Sequence, residues 1–246
     1  MAGLMKVYWD AGHGGSDPGA VKYVTERDAN IKVVNYGAAY MEETYQCEVY
    51  KDITADSINT ICKRANKWGA DLFLSVHFNA GGGDGYEALV YNSKKKALGK
   101  IFEKYVKAIG QNSRGVKYRP DLGVLRLTKM PAILNECAFV DNKKDIKDWD
   151  ENAELKKMGI ALAKAAADYL GLPLKKKEES KTPFKVRVTA DVLNIRAGAG
   201  TKYEKVGAIK DKGIYTIIEV KGNWGKLKSS TAKSPRWIHL GYTTEY

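Results

Sequence analysis

Val7-Tyr8-Trp9-Asp10-Ala11-Gly12-His13-Gly14-Gly15 completes an apolar run that begins at Leu4, and residues 28–45 follow with Ile31, Val34, Ala38, Met41 and Tyr45 on one helical face. An apolar run that breaks at glycines and hands over to a 3.6-residue period is the opening of a β-then-α unit. Outward from this point the alternation continues, with strands expected at 48–50, 71–78, 86–91, 124–128 and 132–140 and helices at 56–68, 95–110 and 154–170. Such interleaving predicts an α/β fold, a mixed sheet with helices on both faces.

The pattern changes after Lys175-Lys-Lys-Glu-Glu-Ser-Lys-Thr-Pro183, a polar and charged stretch that reads as a linker over 175–183. Beyond it only short strands are expected, at 185–189, 192–195, 215–220, 225–228 and 237–240, separated by glycine-rich turns. A small all-β barrel over 184–246 is the natural reading, behind a first domain of residues 1–174.

The 246 residues are 44% hydrophobic and 28% charged, with 24 Gly and 6 Pro, which excludes collagen-like and disordered chains. Three cysteines, Cys47, Cys62 and Cys137, are odd in number and lack paired spacing, so neither a disulfide framework nor a structural thiolate site is expected. No run of 18 apolar residues occurs, and no basic segment precedes an apolar stretch at the N-terminus. Cytoplasmic synthesis without a signal peptide and no stable membrane insertion are the resulting expectations.

The net charge of +12 is uneven: residues 184–246 carry 12 Lys and Arg against 5 Asp and Glu, whereas residues 1–174 carry 25 against 22. The excess favours an anionic partner, and composition alone does not choose among nucleic acid, a membrane face and an acidic wall polymer. Lys94-Lys95-Lys96 and Lys143-Lys144 lack interleaved aromatic residues, so nucleic acid is not expected.

Two of the three histidines, His13 and His77, fall at the ends of apolar strand runs. Strand carboxyl ends are where an α/β sheet forms its sites. Glu26 opens the second element, with Thr25 and Asp28 forming a cap signature around it. Together, His13, Glu26 and His77 make a two-His, one-carboxylate set that suits a catalytic Zn²⁺ with an open fourth position, although their long separations leave no local motif. Glu136 stands inside the apolar strand Ile133-Leu134-Asn135-Glu136-Cys137-Ala138-Phe139, where a carboxylate is costly unless it has a proton, a partner or a metal-linked task.

In chain order, Asp10-Ala-Gly-His13-Gly-Gly-Ser-Asp17-Pro-Gly19, Glu26-Arg27-Asp28, Ser75-Val-His77-Phe-Asn79-Ala and Glu136-Cys-Ala-Phe139-Val-Asp-Asn142 resemble the zinc-dependent N-acetylmuramoyl-L-alanine amidases of the type 3 family. The resemblance spans nearly all of residues 4–171. It implies that His13, Glu26 and His77 hold Zn²⁺, that Glu136 is the catalytic glutamate, that Asn79 has a supporting role, and that bacterial peptidoglycan is the substrate. The bond cut would be the amide between N-acetylmuramic acid and L-alanine, with Glu136 taking a proton from water and returning it to the departing amine. Asp10 and Asp17 are weighed as further ligands and left out of the metal set, Asp10 as a loop-fixing group.

Leu193-Asn-Ile-Arg196, Gly207, Gly213, Asn223-Trp224-Gly-Lys-Leu227 and Trp237-Ile238 resemble the bacterial SH3-like (SH3b) wall modules over about 184–241, with Ser229 to Arg236 a longer loop than usual. This implies an SH3-like barrel that binds the wall. A phage endolysin released through a holin is the setting that these expectations fit. Two alternatives stand at this stage: a cysteine hydrolase with Cys137 as nucleophile and His77 as base, and a non-catalytic wall-binding protein.

Overall fold

Val7, Trp9 and Ala11 join the buried cluster on one side of the first strand, and Tyr8 joins the cluster on the other. Successive side chains of a strand point to opposite faces, so a strand covered on both sides must be apolar throughout. The computed structural model describes residues 3–147, 149, 151–175 and 182–246. The chain divides into two compact units, Met1–Lys175 and Lys176–Tyr246. Most of the expected linker, residues 176–181, lies outside the described residues.

The first unit runs β1 (Met5–Ala11), α1 (Glu26–Thr44), β2 (Cys47–Asp52), α2 (Ile58–Trp68), β3 (Leu72–Asn79), β4 (Tyr86–Val90), α3 (Lys96–Lys107), β5 (Ser113–Tyr118), α4 (Gly123–Arg126), β6 (Ala132–Phe139), α5 (Lys143–Ile146) and α6 (Asn152–Leu170). Its six-stranded sheet has the order β2-β1-β3-β6-β4-β5. Pairing is parallel except between β4 and β6, so the sheet is mixed. Val33 and Val34 of α1, Phe102 of α3 and Leu162 of α6 cover one face. Ile61 and Ala65 of α2 with Val124 and Leu125 of α4 cover the other.

The α1 and α6 helices approach closely because each has a glycine at the crossing. A Cβ on Gly159 would lie 2.5 Å from the Val33 carbonyl oxygen, and one on Gly37 would lie 2.5 Å from the Trp9 ring. These contacts hold α1, whose first residue is Glu26, against the end of β1.

Three local expectations need correction. Residues 124–128 do not form a strand: Leu125 and Arg126 donate to the Leu122 carbonyl and Leu127 to that of Gly123, making the short α4. Val-Leu-Arg-Leu fits either period, and burying Val124 and Leu125 together against the α2 face selects the helical turn. β5 escapes the sequence reading because it is a polar edge strand, Ser-Arg-Gly-Val-Lys-Tyr, held by its pairing with β4. Thr25 does occupy the N-cap of α1, but its side chain makes no capping bond, and Asp28 instead accepts from Arg27 Nε at 2.8 Å.

The second unit contains β7 (Phe184–Val188), β8 (Leu193–Arg196), β9 (Lys205–Ile209), β10 (Ile214–Lys221), β11 (Trp224–Leu227), β12 (Trp237–His239) and β13 (Thr243–Glu245). They form an antiparallel sheet of order β13-β7-β10-β11-β12-β8-β9 around Val186, Val188, Leu193, Ile209, Ile217, Leu227 and Ile238. Among the described residues the end strands β13 and β9 do not pair, so the sheet is not a closed barrel. These two ends are also strands that sequence patterning misses, β13 because Thr-Thr-Glu is polar and β9 because Lys-Val-Gly-Ala-Ile lacks a clear apolar alternation, so each is stabilised by its partner.

Candidate metal and catalytic site

β1, β3 and β6 lie side by side in the sheet, and their carboxyl-terminal ends carry the candidate groups. After Ala11 the chain passes Gly12, whose N–H donates to the Val76 carbonyl at 3.0 Å. A Cβ there would fall 2.0 Å from His77 Cε1, so the His77 ring occupies the space that a side chain would need. His13 takes a left-handed conformation, φ 63°, which is uncommon for a residue with a Cβ. Its Nδ1 sits 2.8 Å from Asp17 Oδ2, and Asp17 is itself held by the Gly19 N–H at 3.0 Å. A carboxylate on Nδ1 fixes the proton there and leaves the Nε2 lone pair free.

Glu26 is 5% exposed. Its Oε2 accepts from the Ala20 N–H at 2.9 Å and its Oε1 from the Phe78 N–H at 3.2 Å. The same Oε1 is 2.9 Å from His77 Nδ1 and 3.2 Å from His13 Nε2. One ligand atom from each of His13, Glu26 and His77 lies within 4.8 Å of the others. Burial works against ionisation of Glu26, but the His77 contact and the Ala20 N–H outweigh it and hold the carboxyl below its ordinary value. Burial likewise opposes charge on His77, yet Glu26 and Glu136 raise its pKa. Two imidazole nitrogens and one carboxylate oxygen, converging with the tautomer of His13 set from outside, fit a divalent metal ion.

Glu136 stands in β6, its Cα in register with His77 on one side and Glu87 on the other. Its Oε2 is buried with no hydrogen-bond partner among the described residues. Burial pushes the carboxyl up to about 7; the His77 charge opposes this, while those of Glu26 and Glu87 add to it. A carboxyl poised near neutrality and free at one oxygen can take and return a proton. A groove of about 270 Å³ beside His13 and His77 is walled by Thr54, Ile58, Leu122 and Val124, which leaves the imidazoles open to a substrate.

Asp10, only 3% exposed, accepts from Ser75 Oγ at 2.6 Å and ties β1 to β3 below the site. Its burial raises its pKa to about 6. Asn79 donates to Glu87 Oε2 at 3.4 Å and accepts from the Ala80 N–H, so its bonds reach Glu87 rather than the converging donors. Glu87 is the residue that sequence reasoning missed. It is 5% exposed, binds Arg114 Nε at 2.6 Å and also Lys117 Nζ, and neighbours Glu136 across the sheet. The same signal that marks Glu136, an acid inside an apolar strand run, is present at Tyr86-Glu87-Ala88-Leu89-Val90.

Cys137 is fully buried, its thiol is raised well above its ordinary value by burial and then by the Glu136 charge, and its sulfur faces the Asn135 carbonyl at 3.8 Å. A nucleophilic thiolate needs the opposite surroundings, cationic and partly exposed.

The family model described as N-acetylmuramoyl-L-alanine amidase matches residues 7–168. The endolysin of Bacillus phage SPP1 is 34% identical over 197 residues, covering 74% of this chain and 72% of the relative. The sporulation-specific N-acetylmuramoyl-L-alanine amidase of Bacillus subtilis is 30% identical over 231 residues, covering 89% and 86%. Among solved structures, the catalytic domain of the amidase CwlV from Bacillus (Paenibacillus) polymyxa superposes with a TM-score of 0.65 at 27% identity, covering 69% of this chain and all of that domain. With sequence, fold and relatives in agreement, the chain belongs to the N-acetylmuramoyl-L-alanine amidase family and is a peptidoglycan amidase.

Proposed function

We propose that His13, Glu26 and His77 hold Zn²⁺ and that Glu136 carries the proton in hydrolysis of the amide between the lactyl group of N-acetylmuramic acid and L-alanine. The observation that carries this reading is the buried, unpartnered Glu136 Oε2 in register with His77 beside three converging donors. Bound there, Zn²⁺ supplies Lewis acidity to the amide carbonyl and acidifies water at the site. Glu136 Oε2 accepts the proton of the attacking water and delivers it to the leaving nitrogen, which departs as the free amine of L-alanine. Asp17 keeps the His13 proton on Nδ1, and the Ala20 and Phe78 N–H groups keep the Glu26 oxygens turned inward.

Digestion of purified peptidoglycan tests the assignment. Wild-type protein should free N-terminal alanine, Glu136→Gln should keep one metal per chain and lose activity at least about 100-fold, and His77→Ala should lose both. Chelation should abolish the wild-type reaction and Zn²⁺ should restore it. Activity at the wild-type rate in Glu136→Gln, or in protein freed of metal, overturns the assigned roles.

The second unit, in this reading, is an SH3-like module that keeps the enzyme on its insoluble substrate and so raises the effective substrate concentration. Seven short antiparallel strands and the Leu193-Asn-Ile-Arg196 and Trp224-Gly-Lys-Leu227 segments support it. The setting is phage lysis, supported by the 34% identity to the SPP1 endolysin. The sporulation-specific relative favours a different setting, a mother-cell amidase of sporulation.

A further inference from the structure

Asn194, Arg196, Thr201, Trp224, His239 and Tyr242 line a cavity of about 410 Å³ in the second unit. Its three rings are contiguous: His239 meets Trp224 edge-on at 5.2 Å between centroids and Tyr242 at 5.4 Å. Trp224, His239 and Tyr242 stand outside the buried cluster of that unit, and Tyr242 is 54% exposed. The Gly241 N–H donates to His239 Nδ1 at 3.2 Å, which leaves the proton of the neutral ring on Nε2 as a donor. Arg196 donates from Nη1 to the Tyr203 carbonyl at 2.8 Å, a bond that orients the guanidinium and uses one of its five N–H groups.

Among the described residues, no acidic side chain lines the cavity. Elsewhere in the unit, Asp191 pairs with Lys212, Glu219 with Lys221 and Lys226, and Asp211 accepts from Tyr215. The cavity therefore offers one planar cation, an imidazole donor and an aromatic wall, with no competing anion among the described residues. One arginine and no lysine match a single planar charge better than a phosphate chain, which takes several cations. The first unit acts on peptidoglycan, whose stem peptides carry isolated carboxylates on short aliphatic residues. Apolar side chains of that kind suit ring faces.

We infer that this cavity binds a stem-peptide carboxylate through Arg196, with the adjoining aliphatic part of the peptide against Trp224, His239 and Tyr242. The inference rests on the wall-anchoring reading of the second unit and names its site and ligand. The stem peptide is the amine side of the amide bond that the first unit cuts, so binding here would hold the enzyme on strands that still carry their peptides.

The test uses the full chain with isotopically labelled tryptophan indoles, titrated with a synthetic stem tetrapeptide that begins with L-alanine and bears free carboxylates. The Trp224 indole signal should shift and saturate. Thr201→Glu, which adds a negative charge at the cavity without removing the Arg196 to Tyr203 bond, should weaken binding about tenfold, as should amidation of the peptide carboxylates. Tyr242→Ala should weaken it too, while Ser229→Glu, an equal charge change outside the lining, should leave it unchanged. A silent Trp224 with a shifting Trp237 overturns the cavity assignment and leaves wall anchoring intact. Shifts confined to Trp9, Trp68 and Trp149 of the first unit overturn the anchoring reading itself, and no shift at any tryptophan overturns the cavity assignment. Equal binding of the amidated peptide, or a Trp224 response to inorganic phosphate at lower concentration than to the peptide, overturns the carboxylate.

Discussion

Gly12 shows how closely the site is built, because the atom it lacks is the space that the His77 ring fills, 2.0 Å from where a Cβ would stand. Gly12→Ala should therefore displace His77 and lower metal affinity about 10- to 100-fold, read by competition with a chromogenic chelator; unchanged affinity would show that the ring does not depend on this gap. Glu136 offers a second test at the same scale. Its folded pKa is raised, to about 7, so in metal-free protein the folded state prefers the protonated acid and loses stability as pH rises from the unfolded pKa through 7. Glu136→Gln removes that cost: metal-free variant and wild type should be equally stable at pH 4, and the variant more stable at pH 8 by up to about 3 kcal/mol, measured by urea unfolding. A constant difference across that range would mean that Glu136 is not held in its acid form.

Among the elements, the contact that matters for the site is α1 on α6. Glu26 is the first residue of α1, so the angle of that helix sets where the carboxylate meets the two imidazoles. The helices meet at Gly37 and Gly159, and a Cβ on Gly159 would lie 2.5 Å from the Val33 carbonyl oxygen and 2.7 Å from the Gly37 nitrogen. Gly159→Ala should destabilise the protein by about 1–3 kcal/mol, read from the denaturation midpoint, and should also weaken metal binding, because pushing the helices apart moves Glu26. Loss of stability with metal affinity intact would show that α1 slides without carrying its first turn. On the opposite face, Asp52 at the end of β2 binds Tyr8, Thr54 and Arg64, joining β1 and β2 to α2.

For the whole molecule, no helix of the described residues is long and apolar enough to cross a membrane. In the phage-lysis setting proposed above, a host producing the chain should lyse only when a holin is produced as well. Lysis without a holin would overturn the holin route. Alternating strand and helix patterns made the α/β class legible from residues alone, since periods of 2 and 3.6 record which faces are buried. The family was legible too, from four ordered motifs around His13, Glu26, His77 and Glu136. Edge strands β5, β9 and β13 were not, because their order comes from a neighbour's hydrogen bonds, and α4 was misread because a stretch as short as Val-Leu-Arg-Leu fits either period. Which ligand atoms converge, that Asp17 sets the tautomer of His13, and that Glu87 with Arg114 and Lys117 stands beside Glu136 were decided by tertiary structure alone. Sequence carries local periodicity and residue chemistry, whereas distances between groups 51 or 65 positions apart, as Glu26 and His77 or Asp10 and Ser75, exist only once strands are laid side by side.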